Sequence, residues 1–481
     1  MTAQTILPAN SAASGGFDVA NSCRFDSGSS AYMHKTPDSA SNRRTFTIST
    51  WIKRSKLGAS QFVYNVRPDS NGATGIFFTS GDVLFLTIEP ISKTLVTNRV
   101  FRDISAWYHI VYAIDTTQGT AANRIKLYVN GVQETSFSAA SYPDENADLD
   151  VNTANPINIG RRLENSSDFI GAYLSEFVFI DGLALAPTSF GEFDEDSGIW
   201  KPKRVSGLTF GTNGFYLNFQ ASGNLGNDAS GGTDLTESGL AATDQSTDTC
   251  TNNSATWNSL VHFSTSATFS EGNLKVAPTE NTSRVYTVST IAMPTVSGSK
   301  WYAEFKYLET NDHALIGILD AAQISFVFRN NSDLDNQNGD TSVGRVTYRS
   351  GNGLIKFPSG QSVDSSVTLT NNDIVMIALD SGSGKIWFGV NGTWTNSGDP
   401  AADSNGVDFS GQSWWTSGVE DFVFFAGSGN TGGHDDWEAN FGSPPFAISS
   451  GNTDGNGYGN FEYAPPSGYF SLNTKNLAEY G

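Results

Sequence analysis

IKLYVNG (residues 125–131) sets the reading of this chain. Ile125, Leu127 and Val129 fall on one side of an extended backbone, Lys126 and Tyr128 on the other: the two-residue period of a half-buried strand. Asn130-Gly131 follows at once and supplies the two positive φ angles of a tight type I′ hairpin. KIWFGVNG (385–392) repeats the pattern in the second half of the chain. Working outward, FTISTWI (46–52) places Phe46, Ile48 and Ile52 on one face, and WYHIVYAID (107–115) and YLSEFVFI (173–180) behave alike. KWYAEFKYL (300–308) alternates, while IVMIAL (374–379) is apolar on both faces, as a central sandwich strand is. No long amphipathic helix or heptad run interrupts the series. The fold expected is all-β, with the same architecture used twice.

Composition agrees. The 481 residues include 49 Gly, 32 Phe, 16 Tyr and 10 Trp but only 16% charged residues, which suits many short strands joined by tight turns. The length exceeds what one core serves. We expect an N-terminal arm over 1–22, a first sandwich over 23–205, an extended polar strap over 206–275 and a second sandwich with a C-terminal tail over 276–481. The strap is expected because residues 221–259 are dominated by Gly, Ser, Thr, Asn, Asp and Ala, a composition that does not supply a core. Leu225, Leu235, Leu240 and Trp257 would pin it.

The formal charge of -21, from 49 acidic and 28 basic residues, repels phosphate backbones and argues against a nucleic-acid partner. No run of eighteen apolar residues is present, so no membrane-spanning helix is expected, and residues 1–10 lack the basic-then-apolar pattern of a secretory signal. Cys23 and Cys250 form no CxxC pair, and five scattered histidines form no zinc pattern.

FTISTWIKRSKLG (46–58), IKLYVNG (125–131), INIGRR (157–162) and YLSEFVFIDGLALAPTSFGEFDEDSGIWKP (173–202) resemble the LamG-like, concanavalin-type sandwiches of phage structural proteins. KWYAEFKYLE (300–309), DIVMIALDSGSGKIWFGVNGTW (373–394) and DWEANFG (436–442) stand in the order of a SPRY domain, and PPSGYFSLNTKNL (465–477) resembles the tail such phage proteins carry. The resemblance implies two concanavalin-like jelly-roll sandwiches, LamG-like and then SPRY-like, in a structural protein of a marine-type bacteriophage. Its place would be the virion surface, as a capsid decoration, head fibre or tail fibre component. It implies adhesion to host or environmental glycans or stabilisation of neighbouring virion proteins, with no enzymatic activity. A homotrimer is the assembly such proteins commonly form, though no sequence feature selects three copies over one. The rival reading is a tail glycan depolymerase acting on host envelope polysaccharide.

That rival needs two carboxylates about 5 Å apart beside a groove. The nearest approach is Glu192-Phe193-Asp194-Glu195-Asp196, which departs from a Glu-x-Asp-x-Glu pattern and reads as a solvated acidic turn. No G-x-S-x-G elbow and no phosphate loop occurs. Asp115, Asp144, Asp148, Asp150, Asp320 and Asp380 lie near strand ends, where some LamG relatives hold calcium; no D-x-D-x-D-G loop assigns ligands, so no cofactor is assigned. Binding is expected on loops held by the strands. Trp394, Trp414 and Trp415 lie in loop sequence and would offer flat platforms, with Asn391 and Asp399 beside the first; the alternative is that they fold back as lids on the core. The SPRY resemblance adds the loop stretch 341–357, with Arg345, Tyr348 and Arg349. His434-Asp435-Asp436 reads as a polar turn, and the sequons at Asn165 and Asn281 carry no weight in a phage context.

Overall fold

The computed structural model describes residues 16–69, 72–88, 91–163, 167–263, 267–278, 285–309, 313–325, 327, 334, 343–358, 362–428 and 435–481. Both Asn-Gly hairpins form as the sequence predicts, with φ of 48° and 77° at Asn130 and Gly131 and of 49° and 83° at Asn391 and Gly392. Gly131 is required twice over, because a Cβ there would lie 2.2 Å from the ring of Trp200. The chain divides between Asn253 and Ser254 into two units, each a sandwich of two mainly antiparallel sheets.

In the first unit one sheet is covered on both faces. Its order is Val132–Gln133, Ile125–Val129, Trp107–Asp115, Thr45–Arg54, Ala172–Asp181, Ser22–Phe25 and Gln245–Ser246. The inner face carries Phe46, Ile48, Ile52 and Phe179 into the core, and the outer face carries Trp51, Trp107, Tyr173 and Val178 under later chain segments. Ala172–Asp181 is therefore buried along its whole length. A bulge at Glu176, with φ of 50°, bends this strand, so Ser22–Phe25 pairs with its first half and Phe215–Leu217 with its second. The facing sheet runs Phe137–Ala140, Lys93–Val100, Val83–Ile88, Gly72–Phe78, Gln61–Asp69, Ile157–Ile159, Tyr32–Lys35 and Thr236–Ser238.

The structure differs from the sequence reading over 206–275, which is not a strap. Leu225 and Leu235 enter the first core, Thr236–Ser238 extends one sheet and Gln245–Ser246 the other. Trp257 instead belongs to the second core, whose first strand is Trp257–Phe263. The physical reason is that polar side chains here serve buried backbone rather than water. Asp228 accepts from Tyr216 N, Ser230 N and Ser230 Oγ, and Asp181 accepts from Thr212 N and Asn213 N. Asp248, 1% exposed, takes Lys53 Nζ at 2.7 Å and Trp107 Nε1 at 3.2 Å. The expected arm is likewise fixed from Phe17 onward, where Val19 packs with Trp51, Trp200 and Cys250.

The second unit repeats the plan. One sheet runs Trp257–Phe263, Val285–Ser289, Asp421–Ser428, Ala314–Asp320, Arg345–Arg349, Leu354–Lys356 and Ser362–Asp364. The other runs Ala267–Ser270, Lys275–Pro278, Trp437–Asn440, Lys300–Tyr307, Ile374–Asp380, Lys385–Val390 and Thr393–Trp394. Its outer face, with Tyr302, Met376 and Trp387, is covered by Phe461 and Tyr469 of the closing segment, which ends in the helix Thr474–Tyr480. No helix among the described residues is long and apolar enough to cross a membrane.

The Lys53–Asp248 pair is the clearest test of how the polar segment is held. Asp248→Ala strands the buried Lys53 charge and is expected to cost about 3–5 kcal/mol in denaturant unfolding, whereas Lys53→Met with Asp248→Leu recovers most of that loss.

Candidate functional site

The residues singled out from sequence do not converge on one site. Trp414 stacks on Phe409 at 5.5 Å and 16° and lies so close to Gly344 that a Cβ there would be 2.7 Å from its ring. Trp415 donates to Ser381 O at 3.3 Å. Trp394 sits edge-on to Tyr302 in the outer cluster of its sheet. All three are half-buried lids, the alternative left open above, because a strand-end loop rich in Gly and Ser lets a large ring fold back on the core. Tyr348 is buried and donates its hydroxyl to Val367 O, while Arg349 reaches His313 Nδ1 at 2.6 Å. Arg345 is buried. Asn391 clamps its own hairpin through Ile374 N and Asp373 Oδ1, and Asp399 closes the turn to Ser404. Residues 341 and 342, His434 and both sequon asparagines lie outside the described residues. Asp435 is not a solvated turn residue: it is buried beneath Tyr307, and burial pushes its carboxyl up to about 6.

The acidic run is largely the solvated turn expected, with Glu192, Glu195 and Asp196 exposed; Asp194 alone is buried. Gly191–Phe193 pairs with Trp200–Pro202 in a small ribbon, and Lys201 Nζ lies 2.9 Å from Asp194 and 3.9 Å from Glu192. The Lys201 bond and the Ser197 donors hold the Asp194 carboxyl well below its ordinary range, so it carries no proton to donate at neutral pH. Ser49 Oγ lies 2.9 Å from His109 Nε2, a spacing that invites a nucleophile–base reading. Trp200 Nε1–H, however, donates to His109 Nδ1 at 3.0 Å. The ring proton therefore sits on Nε2 and points at Ser49, and burial lowers the His109 pKa to about 3. This histidine cannot accept the serine proton. Among the calcium candidates, Asp148 pairs with Arg44 and Asp380 with Lys300, and Asp115 accepts from Thr117 and Gln118. Among the described residues no three His, Cys, Asp or Glu side chains gather as a metal group.

What the topology does assemble lies on the outer face of the second sheet of the first unit. Met33, Tyr64, Ile76, Leu86 and Ile159 point into the core, so their strand neighbours point out. His34 stands opposite Thr236 on one side and Asn158 on the other. Asn158 stands opposite Asn65, Asn65 opposite Gly75, Gly75 opposite Thr87, and Thr87 opposite Thr94. The result is one continuous polar row across the strands, roughly 29 Å long at ordinary strand spacing. Beside it runs an aromatic row: Phe62 stacks on Phe77 at 4.5 Å, and Phe77 on Phe85 at 4.8 Å. Phe77 and Phe85 are half-exposed.

The turn after Ile157–Ile159 orients the row. Arg161 lies 3.5 Å over the ring of Tyr32 and donates its Nε to Asn158 Oδ1 at 2.9 Å, and Leu163 N donates to Asn65 Oδ1 at 3.1 Å. Both amides thus spend their oxygens on protein donors. The Nδ2 of Asn158 and the Nδ1 of His34 are buried and left without a hydrogen-bond partner. Burial and the Arg161 charge lower the His34 pKa, so its ring is neutral at neutral pH. None of these residues was singled out from sequence. INI alternates visibly, but the row exists only once seven strands distant in sequence take their order.

Residues 26–187 match the profile of the Concanavalin A-like lectin/glucanases superfamily. Among solved structures, the chain is similar to mouse laminin alpha1 chain domains LG4-5, at 10% identity over 95% of this chain and 99% of that one, with a TM-score of 0.29. It is similar to the SPRY domain of human HERC1, at 11% identity over 38% of this chain and 96% of that one, with a TM-score of 0.27. A putative carbohydrate binding protein from Bacteroides ovatus matches at 14% identity over 46% of this chain and 58% of that one, with a TM-score of 0.29. No curated protein matches in sequence.

One buried acid gives the first unit a pH signature. Glu176, at the bulge, accepts from Tyr216 Oη at 2.5 Å, and burial pushes its carboxyl up to about 7 from an ordinary 4.5. A raised folded pKa means that the folded state holds the proton more tightly. Stability from this group is complete below the ordinary value and falls as pH rises through about 7, by roughly 3 kcal/mol in all. Glu176→Gln keeps the Tyr216 bond, and denaturant midpoints measured from pH 4 to pH 8 are expected to lose most of this decline.

Proposed function

We propose that this chain is a glycan-binding component of a bacteriophage particle surface and that the first sandwich holds a saccharide across its outer sheet face. The observation that carries this reading is the polar row lying alongside the aromatic row. Sugars need flat apolar surface for their C–H faces and hydrogen-bonding groups for their hydroxyls. Phe77 and Phe85 offer the first. Thr87 and Thr94, both half-buried, offer hydroxyls that donate and accept, whereas Asn158 Nδ2 and His34 Nδ1 are buried and out of a ligand's reach. Gly75 makes a gap in the row, because a Cβ there would press to 2.8 Å from the ring of Phe62. The match of residues 26–187 to a superfamily of lectins and glucanases supports the same ligand class.

Binding without cleavage is the reading these residues favour. The row carries no carboxylate, and glycosidic hydrolysis of the usual kind needs two. The virion placement rests on the resemblance of both halves to phage structural proteins, which makes neighbouring virion proteins the structural partners and a host or environmental glycan the ligand. Decoration of the capsid, a head fibre and a tail fibre component share that chemistry.

A glycan array probed with the full chain should show retained binders, and Phe77→Ser and Phe85→Ser should each weaken them about tenfold, the loss of about 1.4 kcal/mol. Leu183→Ser, at an exposed position away from the row, should leave binding unchanged. Binding that survives both Phe substitutions would remove the sheet face as the site. For the virion, gold-labelled antibody on intact particles should decorate head or tail, and label on neither would end that part of the reading.

A further inference from the structure

Ser362–Asp364 is the last strand of its sheet in the second sandwich, and all three residues are exposed. Among the described residues it pairs on one side only, with Leu354 opposite Asp364, Ile355 opposite Val363 and Lys356 opposite Ser362. Ser365 N donates to Gly353 O at 3.0 Å. Antiparallel pairing alternates, so the backbone groups of Val363 turn toward the sheet and those of Ser362 and Asp364 turn away from it. Protein edges are blunted by brevity, charged side chains, Pro or a bulge; this one is three residues long and carries Asp364, but it has neither Pro nor a bulge. The opposite edge of this sheet, Trp257–Phe263, has an irregular register between Trp257 and His262; the Ser362–Asp364 pairing runs unbroken.

An open groove of about 620 Å³ lies along this edge. Phe357 and Val407 line it at low exposure, and Val363 adds an apolar side chain that is 37% exposed. Asn396, Asn405 and Asp408, contributed by the loops and edge of the facing sheet, line it too. A strand added to Ser362–Asp364 would direct every second side chain to one face, so an apolar residue at those positions meets Phe357 and Val407. The charge beside the groove is acidic on balance: Lys356 stands opposite Ser362 and Lys385 opposite Asp408, but Lys385 is engaged by Asp403 at 2.7 Å. Asp364 and Asp408 are exposed, and the bonds from Ser366 N and from Ser410 engage only Oδ1 of each.

We infer that this edge and groove form a docking site for an extended peptide segment of a partner protein, apolar at alternate positions and basic between them, which binds by adding a strand. The main-chain edge supplies affinity, the groove reads the apolar residue and the two aspartates select the basic ones. This site is independent of the glycan reading, because it lies wholly within the other unit.

The test uses the full chain with a fluorescein-labelled nonapeptide alternating Lys and Val, read by anisotropy. Binding is expected, with the Glu–Val counterpart at least tenfold weaker. N-methylation of one alternate set of residues should abolish binding and that of the other set should not, since only one set faces the edge. Amide exchange over 362–364 should slow on binding, Val363→Asp should weaken binding tenfold or more, and Asp364→Lys with Asp408→Lys should reverse the preference toward the Glu–Val peptide. Equal tolerance of both N-methylated peptides would show charge attraction without strand pairing and overturn the inference, as would equal binding of the acidic peptide or unchanged exchange at 362–364.

Discussion

A buried carboxylate accepts hydrogen bonds and offers none, so it must be surrounded by donors, and both sandwiches are organised around that requirement. Glu304 is fully buried on the central strand of its sheet and accepts from Tyr302 Oη, Tyr463 N, Asn440 Nδ2 and Glu462 N. Burial pushes this carboxyl up toward about 7, against the pull of the four donors. Asp454 gathers Asn456 N and Tyr458 N on one oxygen and Ser471 N, Ser471 Oγ and Asn476 Nδ2 on the other. In the first unit Asp181, Asp228 and Asp248 play the same part. Charge-assisted bonds of this kind are stronger than neutral ones and directional, so they fix a segment that has little apolar surface to bury. The segments so fixed then cover the outer aromatic face of one sheet in each unit, where Trp51 and Trp107, or Tyr302 and Trp387, would otherwise face water.

This accounts for what the sequence did and did not disclose about the fold. The alternation in Ile125–Val129 and Lys385–Val390 reports a core on one side of a strand, and Asn-Gly reports a backbone conformation; both are local properties and both are legible. The role of Asp228 or Asp248 is not local. An aspartate among glycines and serines reads as solvated unless it is known that Tyr216 N or Lys53 Nζ lies against it. Residues 221–259 therefore looked like a strap, although Leu225 and Leu235 were correctly suspected of pinning them. Low apolar content bounds how much surface a segment buries. It does not say whether its polar groups are satisfied inside.

The candidate sites were illegible for related reasons. Tryptophan in a loop offers two outcomes, platform or lid, and neighbours such as Gly344 and Phe409, far from or near it in sequence, decide between them. The polar row fails differently. Asn158, Asn65, Gly75 and Thr87 are unremarkable in their own strands, and their meaning comes from a strand order that places Ile157–Ile159 between Tyr32–Lys35 and Gln61–Asp69. Sandwich topology brings together strands from opposite ends of the domain, so a face-wide pattern is written in register rather than in any stretch of sequence.

The same division into covered and uncovered surface bears on what each part can do. The covered sheet of the first unit holds the groups that come nearest to catalytic chemistry, and its burial disarms them: Trp200 takes the acceptor nitrogen of His109, and Lys53 neutralises Asp248. The outer face of the other sheet sets amides, hydroxyls, an imidazole and stacked rings at strand spacing, with Asn65 and Asn158 buried and Arg161 and Arg162 lying over Tyr32 and Phe62. Those groups are carried on paired backbone, and Arg161 and the backbone N–H of Leu163 hold two of the amides in orientation. Side chains held in this way lose little freedom on binding, and on the glycan-binding reading proposed above such preorganisation favours affinity for a ground state rather than stabilisation of developing charge.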